Sequence, residues 1–248
     1  MRVAAIYDIH GNLPALEAVL AEIRQVNADE IVVGGDVVPG PMPRETLDRL
    51  LDLDLPARFL QGNGDRVVLG AMRGEEPGEV PEPFREQIRW NARQLTAAHQ
   101  KVLATWPKTI RMKVEGLGDV LFCHATPRND TDVFTRLTPE KRLLPLFQNL
   151  DVDFVVCGHT HMQFERIIGG VRVINAGSVG MPFGEPGGYW VLLGPEIQLR
   201  NTSYDLAKAA ERIRTTSYPQ ACSFADRNVF GPPSEAEMLG AFGRVELK

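Results

Sequence analysis

Cysteine is scarce in this sequence, and its number is odd. The three cysteines are Cys123, Cys157 and Cys222, and no two of them form a Cys-x-x-Cys pair. A disulfide framework of the kind that holds small secreted domains together is therefore not expected. Cys123 and Cys157 each end an apolar run. We predict that both are small buried hydrophobic side chains rather than ligands or nucleophiles.

Long apolar runs and a leader-like beginning are also missing. No run approaches 18 apolar residues, and residues 1–12 lack the basic start, apolar stretch and cleavage site of a signal peptide. The sequence therefore predicts a cytoplasmic protein with no membrane partner. Its net charge of -5 at pH 7 argues against a surface for general nucleic-acid binding.

The composition is that of an ordinary globular protein. Of the 248 residues, 44% are hydrophobic and 24% are charged, and the length suffices to bury a sizeable core. We predict a single domain over residues 1–248, in which residues 218–248 form a C-terminal arm that is extended from 218 to 233. The arm can pack on its own domain or on a second copy, so the sequence leaves a homo-oligomer open.

The first apolar run leads directly into polar residues. Residues 2–7 read as a buried strand, and Asp8, His10 and Asn12 follow without a turn signal. Because residues two apart on an extended segment point to the same side, Asp8 and His10 can converge on one metal ion. A helix capped by Asn12 and a second strand ending before Asp36 come next. This order predicts parallel strands with a ligand crevice beyond their carboxyl ends.

Polar side chains end later apolar runs in the same way. With Asp8 and His10, the set consists of Asp36, Asn63, His124, His159 and His161. It includes four of the five histidines of the chain. A structural zinc ion needs only four ligands, usually with cysteine among them. Seven oxygen and nitrogen donors suit two ions better, with Asp36 as the natural bridge.

The second half of the chain is richer in short strands. Gly169-Gly170 lies between two of them, which predicts a hairpin, so antiparallel strands are expected here. The glycines on either side of Asn63 have two interpretations. They let the backbone approach a ligand closely, or they belong to an ordinary Asn-Gly turn.

The polar motifs also resemble a known family. Asp8-x-His10, Gly35-Asp36, Gly62-Asn63, His124 and Gly158-His159-x-His161 are similar, in order, to the five motifs of the calcineurin-like metallophosphoesterase superfamily. The resemblance covers residues 3–200 and extends to the small bacterial phosphodiesterase branch. It implies an α/β (α+β) fold, a four-layer αββα sandwich with two mixed β-sheets flanked by helices.

The resemblance also implies two metal sites and a reaction. One divalent ion would bind Asp8, His10, Asp36 and His161, and the other Asp36, Asn63, His124 and His159. Mn²⁺ is the first expectation, and Fe, Zn and Ni suit the same donors. A hydroxide that bridges the ions would hydrolyse a phosphoester, which we expect to be a small-molecule or nucleotide phosphodiester or pyrophosphate. The alternatives are a phosphomonoesterase, a protein Ser/Thr phosphatase, or a non-catalytic binding module on the same fold.

One position departs from the family pattern. Histidine usually follows the asparagine of the third motif, whereas this chain has Gly64. The sequence keeps the acidic partner of that histidine, Asp65, which we expect to be catalytic together with Asn63. Without the imidazole, either the substrate has a good leaving group or another residue supplies the proton. We expect Asn12, Arg66 and Arg128 to bind substrate, although either arginine could instead be a surface residue.

Overall fold

The computed structural model describes residues 1–245 and residue 247. Its strands are β1 (Val3–Ile6), β2 (Glu30–Val33), β3 (Ala57–Phe59), β4 (Thr109–Val114), β5 (Gly118–Cys123), β6 (Phe154–Cys157), β7 (Gln163–Ile168), β8 (Val171–Ala176), β9 (Gly188–Leu193) and β10 (Ile197–Thr202). Its helices are α1 (Leu13–Gln25), α2 (Pro43–Leu51), α3 (Asn63–Met72), α4 (Glu82–Gln94), α5 (Ala97–Leu103), α6 (Glu140–Phe147), α7 (Leu206–Arg214), α8 (Ala221–Phe224) and α9 (Glu235–Phe242), with a π-helical segment at Ala225–Phe230 after α8.

In this part of the chain the strands form two mixed sheets. The first has the order β10-β9-β1-β2-β3, and the second has the order β4-β5-β6-β8-β7. In the first sheet, β1 and β2 are parallel while β9 runs antiparallel to β1. In the second, β6 runs parallel to both β5 and β8, and β7 and β8 form the hairpin predicted at Gly169-Gly170. Two mixed sheets flanked by helices confirm the predicted fold class.

The hydrophobic core contains separate clusters on the two faces of the first sheet, because successive side chains of a strand point to opposite faces. Ala4 and Ile6 of β1 pack in a cluster with the buried face of α1. Val3, Ala5 and Tyr7 instead pack with buried residues of the second sheet. The Tyr7 hydroxyl donates a hydrogen bond to the Val156 carbonyl at 2.9 Å. One strand therefore joins both layers, and its carboxyl end is fixed from two sides.

Helix α1 begins as the sequence predicts. The Asn12 side chain accepts a hydrogen bond from the Ala15 N–H, and Pro14 lies in the first turn. This cap satisfies one of the N–H groups that a helix start leaves unpaired. The chain therefore turns sharply from β1 into α1, which leaves Asp8 and His10 in the connecting loop.

Helix α3 begins at Asn63, where the sequence leaves a turn open. Asp65 accepts the backbone N–H of Gly62 at 3.0 Å and so caps the first turn. A Cβ atom on Gly62 would lie 2.2 Å from Asp36 Oδ1. The close backbone approach is therefore the correct interpretation of these glycines, and the Asn-Gly turn is wrong.

The expectation of an extended segment at residues 218–233 is wrong. Residues 221–230 are helical, and Phe224, Ala225 and Val229 are buried against α7. Trp90 and Met181 pack on the same cluster, so the segment lies on its own chain. Apolar side chains at helical spacing bury more surface as a helix than as an extended strand. No helix in the described residues is both long and apolar enough to cross a membrane.

Candidate metal centre

The predicted ligands lie in the loops that follow the strands, and the backbone there is unusual. Asp8, His10, Asp36, His159 and His161 have φ values of +52°, +48°, +51°, +67° and +56°. Side chains other than glycine rarely adopt this left-handed region, and such residues cluster at functional sites. Five of the seven predicted ligands therefore share a conformation that the surrounding structure has to enforce.

One group of donors gathers Asp8, His10 and His161. His10 Nε2 lies 3.2 Å from His161 Nε2. Asp8 Oδ1 lies 3.3 Å from His161 Nε2 and 3.9 Å from His10 Nε2. The imidazole rings of His10 and His161 have centroids 5.0 Å apart. Three donor atoms therefore face one small region, at distances that a shared cation accounts for.

A second group gathers Asp36, His124, Asn63 and His159. His124 Nε2 lies 3.6 Å from Asp36 Oδ1 and 3.0 Å from the Asn63 amide oxygen. That amide atom is also 3.0 Å from His159 Nδ1. Without a cation, an amide nitrogen at this point would donate to both imidazoles and to the Asp130 carbonyl at 3.1 Å, whereas a bound cation would require the amide oxygen there. The structure thus brings together all seven residues that the sequence singles out.

The two groups meet at Asp36. Its Oδ1 faces His124, whereas its Oδ2 lies 3.7 Å from His10 Nε2. Asp8 Oδ1 is likewise 3.9 Å from both His10 Nε2 and His124 Nε2. A carboxylate whose oxygens face two donor groups can bridge two ions.

Backbone carbonyls fix the imidazole rings of the histidines. The Nδ1–H groups of His10, His124 and His161 donate to the carbonyls of Pro39, Gly34 and Met181 at 3.1, 3.0 and 2.8 Å. This bond selects the tautomer that leaves Nε2 with a free lone pair. Metal-bound histidines have the same outer hydrogen bond. These three rings are therefore oriented for metal binding.

Asp8 provides a test of whether the donors fit a cation. It is fully buried, and its Oδ2 accepts the His159 N–H at 2.8 Å. Among the described residues, no donor completes its Oδ1 by a hydrogen bond. Burial alone would raise the pKa of Asp8, but His161, His124 and His10 hold that pKa well below its usual range. A buried, ionised oxygen without a donor fits a cation.

The imidazoles differ in how readily they take a proton. Burial lowers the pKa of His159 to about 4, with the charge of His124 acting in the same direction. Burial also lowers the pKa of His10. For His124 and His161, burial is outweighed by the carboxylates of Asp36 and Asp8, which raise both pKa values. Protons and metal ions therefore compete mainly at His124 and His161.

The Asp65 carboxylate accepts hydrogen bonds from three backbone N–H groups beside the candidate metal centre. Its Oδ2 accepts the N–H groups of Asp36 and Gly62 at 2.8 and 3.0 Å, and its Oδ1 accepts that of Val38 at 3.1 Å. Burial, followed by the charge of Asp36, raises the pKa of Asp65 to about 7. The carboxylate thus ties the Asp36 loop to the start of α3.

The residues expected to bind substrate have partners within the protein. Asn12 is fully buried, caps α1 and donates to the Gly180 carbonyl at 3.0 Å. Arg66 Nε pairs with Asp130 at 2.7 Å, and its Nη1 pairs with Glu79 at 2.7 Å. A carboxylate likewise holds Arg128, whose Nε lies 2.9 Å from Asp132 Oδ2. These contacts occupy the Asn12 amide and part of each guanidinium, and Arg128 also lines a small cavity with His124.

A cavity that the sequence-based predictions did not include lies beside the predicted metal centre. Its volume is about 400 Å³, and its lining includes His10, Pro39, Arg227 and Asn228. The latter two lie in the π-helical segment, far from the ligand motifs in sequence. The apolar spacing from 218 to 229 is the signal that predicts this folded wall.

A sandwich of two mixed sheets, with carboxylates, imidazoles and an amide converging at the strand ends, defines a metal-dependent hydrolase. Residues 1–194 match the calcineurin-like phosphoesterase superfamily domain, and the chain belongs to that superfamily. Its reaction is the hydrolysis of phosphoesters, and the family implies divalent metal ions.

Relatives of known sequence and structure agree with this assignment. The chain is 28% identical over 242 residues to the uncharacterized protein MJ0912 of Methanocaldococcus jannaschii, covering 88% of this chain and 94% of the relative. It is 28% identical over 193 residues to phosphodiesterase YfcE of Escherichia coli K12, covering 77% of this chain and 87% of YfcE.

Two solved structures share the fold over 94% of this chain and 99% of their own. A metallophosphoesterase from Sphaerobacter thermophilus superposes with a TM-score of 0.73 at 26% identity. Hypothetical protein PH1004 from Pyrococcus horikoshii OT3 superposes with a TM-score of 0.80 at 18% identity.

Proposed function

We propose that the chain is a dinuclear phosphodiesterase that acts on a small phosphorylated molecule. The observation that carries the proposal is the position of Asp36, whose two oxygens face two separate donor groups. One ion would bind Asp8, His10, Asp36 and His161. The other would bind Asp36, Asn63, His124 and His159. The retained set of seven donors supports an enzyme over a non-catalytic binding module, which has no need of both groups.

When bound, two such ions supply a hydroxide nucleophile near neutral pH and positive charge against the phosphoryl oxygens. The chain itself provides their orientation. The carbonyls of Pro39, Gly34 and Met181 keep three imidazoles in the required tautomer. The role we propose for Asp65 is positioning, because both its oxygens accept backbone N–H groups. Asn63 would contribute as a ligand of the second ion.

A diester is favoured over a monoester of a protein side chain for two reasons. Gly64 offers no group to protonate a poor leaving group such as a serine alkoxide. The relative YfcE is named a phosphodiesterase. Mn²⁺ is the ion we propose first, on the oxygen donors of the set, and the imidazoles also suit Fe²⁺, Zn²⁺ and Ni²⁺.

The test compares bis-p-nitrophenyl phosphate with p-nitrophenyl phosphate. Metal-stripped protein is supplied in turn with Mn²⁺, Fe²⁺, Zn²⁺ and Ni²⁺, and Asp36→Asn is the control. We expect metal-dependent turnover of the diester that falls at least about 100-fold in Asp36→Asn, since even outer partners of metal ligands contribute 10–100-fold. Faster turnover of the monoester would favour a phosphomonoesterase. Binding of two ions without turnover of either ester would favour the binding module.

A further inference from the structure

The lining of the cavity beside His10 includes one arginine. Arg227 lines this cavity together with the polar residues Gln87, Gln220, Ser223 and Asn228. Arg227 is exposed, and no residue that the structure describes holds it by a hydrogen bond or an ion pair. The Glu237 carboxylate accepts the Ser234 N–H at 2.9 Å and hydroxyl at 2.7 Å on Oε2. These bonds, and after them the charge of Arg227, lower the pKa of Glu237, but no hydrogen bond joins Glu237 to Arg227 in the described residues. The Arg227 guanidinium is therefore available to an anion in the cavity.

This availability separates Arg227 from the arginines near the ligand motifs. Arg66 has two carboxylate partners and Arg128 has one, as described above. A substrate phosphate would have to compete with those carboxylates at either guanidinium, although Nη1 of Arg128 takes no part in its pair with Asp132. Among the described residues no carboxylate pairs with Arg227 in this way, so the cost of binding an anion there is smaller.

Buried neighbours anchor the backbone segment that carries Arg227. It lies in the π-helical segment Ala225–Phe230, and the neighbouring Ala225 and Val229 are fully buried. π-helical turns are rare and occur frequently at functional sites. The match to the superfamily domain ends at residue 194, so this segment lies beyond the matched region. It can therefore select a substrate that the superfamily as a whole does not share.

The remaining lining residues are largely apolar. Phe84, Met181, Phe183, Phe224 and Met238 line the cavity, and Phe84 is 49% exposed. Phe183 stacks on the ligand His161, with ring centroids 5.3 Å apart and planes inclined by 24°. A flat apolar group placed here would cover exposed aromatic surface next to the metal centre.

We propose that this cavity binds the leaving half of a nucleotide pyrophosphate, with Arg227 on the non-scissile phosphate and the base against the apolar wall. The proposal rests on the proposed hydrolytic function and names its substrate class. An arginine that lines the same cavity as His10 calls for an anionic group in addition to the one at the metal ligands. A phosphodiester with one phosphate lacks that group, whereas a pyrophosphate supplies it.

The same substrate class accounts for Gly64. The water oxygen bonds to the scissile phosphorus, and the bridging P–O bond breaks with its electron pair on the departing phosphate. The products are two phosphomonoesters, and both water protons pass to solvent. A phosphomonoester leaves without being protonated, since its second pKa is only about 6. The residue after Asn63 therefore has no need to supply a proton.

The experiment compares diadenosine diphosphate with bis-p-nitrophenyl phosphate in the metal-loaded protein. Arg227→Gln removes the charge, Arg227→Lys keeps it, and Arg212→Gln is the matched control. Arg212 is an exposed arginine of α7 that pairs with Glu17 at 2.8 Å. We expect Arg227→Gln to lower kcat/KM for the pyrophosphate about 10- to 100-fold, mainly through KM. The loss of kcat/KM for bis-p-nitrophenyl phosphate should be at least about tenfold smaller. Arg227→Lys should recover part of the kcat/KM for the pyrophosphate.

A binding measurement makes the inference independent of turnover. Titration of AMP into metal-free protein should give a Kd that rises about 10- to 100-fold in Arg227→Gln and stays unchanged in Arg212→Gln. Equal losses of kcat/KM for both substrates in Arg227→Gln would contradict the proposed subsite. An AMP Kd that Arg227→Gln leaves unchanged would contradict it as well. Absence of turnover on either ester, with AMP binding that still depends on Arg227, would overturn the hydrolytic function and support the subsite.

Discussion

Gly64 donates its backbone N–H to Asp36 Oδ1 at 2.7 Å. The amide that follows Asn63 therefore packs directly on the carboxylate between the two donor groups. A Cβ atom on Gly64 would lie 2.5 Å from the Val38 carbonyl oxygen and 2.8 Å from Pro39 Cδ. The glycine is a requirement of packing in this chain, and the loop at residues 38–39 occupies the space that a histidine would need.

Substitution of Gly64 should therefore damage the centre. We expect Gly64→Ala to lower the free energy of unfolding by about 1–3 kcal/mol, because backbone atoms must shift, and to weaken Mn²⁺ binding. Gly70→Ala in the same helix is the control, since its Cβ would meet only the end of the Glu75 side chain, at 3.0 Å. Chemical denaturation measures both variants. A Gly64→Ala protein as stable as Gly70→Ala would contradict the steric argument.

The rate of diester hydrolysis should depend steeply on the pKa of the leaving group. No side chain at residue 64 can protonate the departing oxygen, so charge must accumulate there in the transition state. Rates against a series of aryl phosphodiesters should fall strongly as the pKa of the phenol rises. The slope of log kcat/KM against that pKa is the measurement. A shallow slope would mean that another residue donates the proton.

Metal uptake should release protons near neutral pH. The carboxylates of Asp8 and Asp36 raise the pKa values of His161 and His124, whereas His159, with a pKa of about 4, is already neutral. A raised pKa means more bound protons in the metal-free protein, and these must leave before the imidazoles bind metal. Affinity for Mn²⁺ should therefore fall as the pH drops.

Calorimetric titration in two buffers of different ionisation enthalpy counts these protons. At about pH 6 we expect up to about two protons released per protein. A heat of binding that is the same in both buffers between pH 6 and 7 would show that no proton is displaced.

The hydrogen bond between the sheets should contribute measurably to stability. Tyr7 is fully buried, and its hydroxyl donates to Val156 of the other sheet. Tyr7→Phe should lower the free energy of unfolding of the metal-free protein by about 1 kcal/mol. Tyr189→Phe, which removes an exposed bond to the Glu185 carbonyl, should change it by less than about 0.5 kcal/mol. Urea denaturation distinguishes the two, and equal effects would count against the cross-sheet bond.

The gathering of the metal-binding residues was predictable because each follows a strand directly. Strands that run in parallel end at the same edge, so Asp8 after β1 and Asp36 after β2 had to be neighbours. The left-handed backbone at these residues gave no local signal. It is imposed by long-range bonds, such as that from the Asp8 N–H to the Gly35 carbonyl at 3.0 Å.

Two parts of the site depended on contacts that local pattern does not encode. Arg66 and Arg128 follow the ligand motifs, yet each pairs with a carboxylate whose position is known only from the folded loops. The Asn-Gly pair at 63–64 reads as a turn, but Asp65 caps a helix there instead. In both cases tertiary contacts outweighed the local preference.

The sequence by itself determined the fold class, through the family resemblance of its motifs, and the predicted set of metal ligands, because each of these residues follows an apolar run closely. The tertiary structure decided which arginine side chain lines the cavity and which residues form the rest of its lining. Arg227 and Phe224 come from a segment beyond the matched superfamily domain, whereas Phe84 and Phe183 lie within it. Phe224 and Val229 pack in one cluster with α7, Trp90 and Met181, and this packing places the segment beside the cavity.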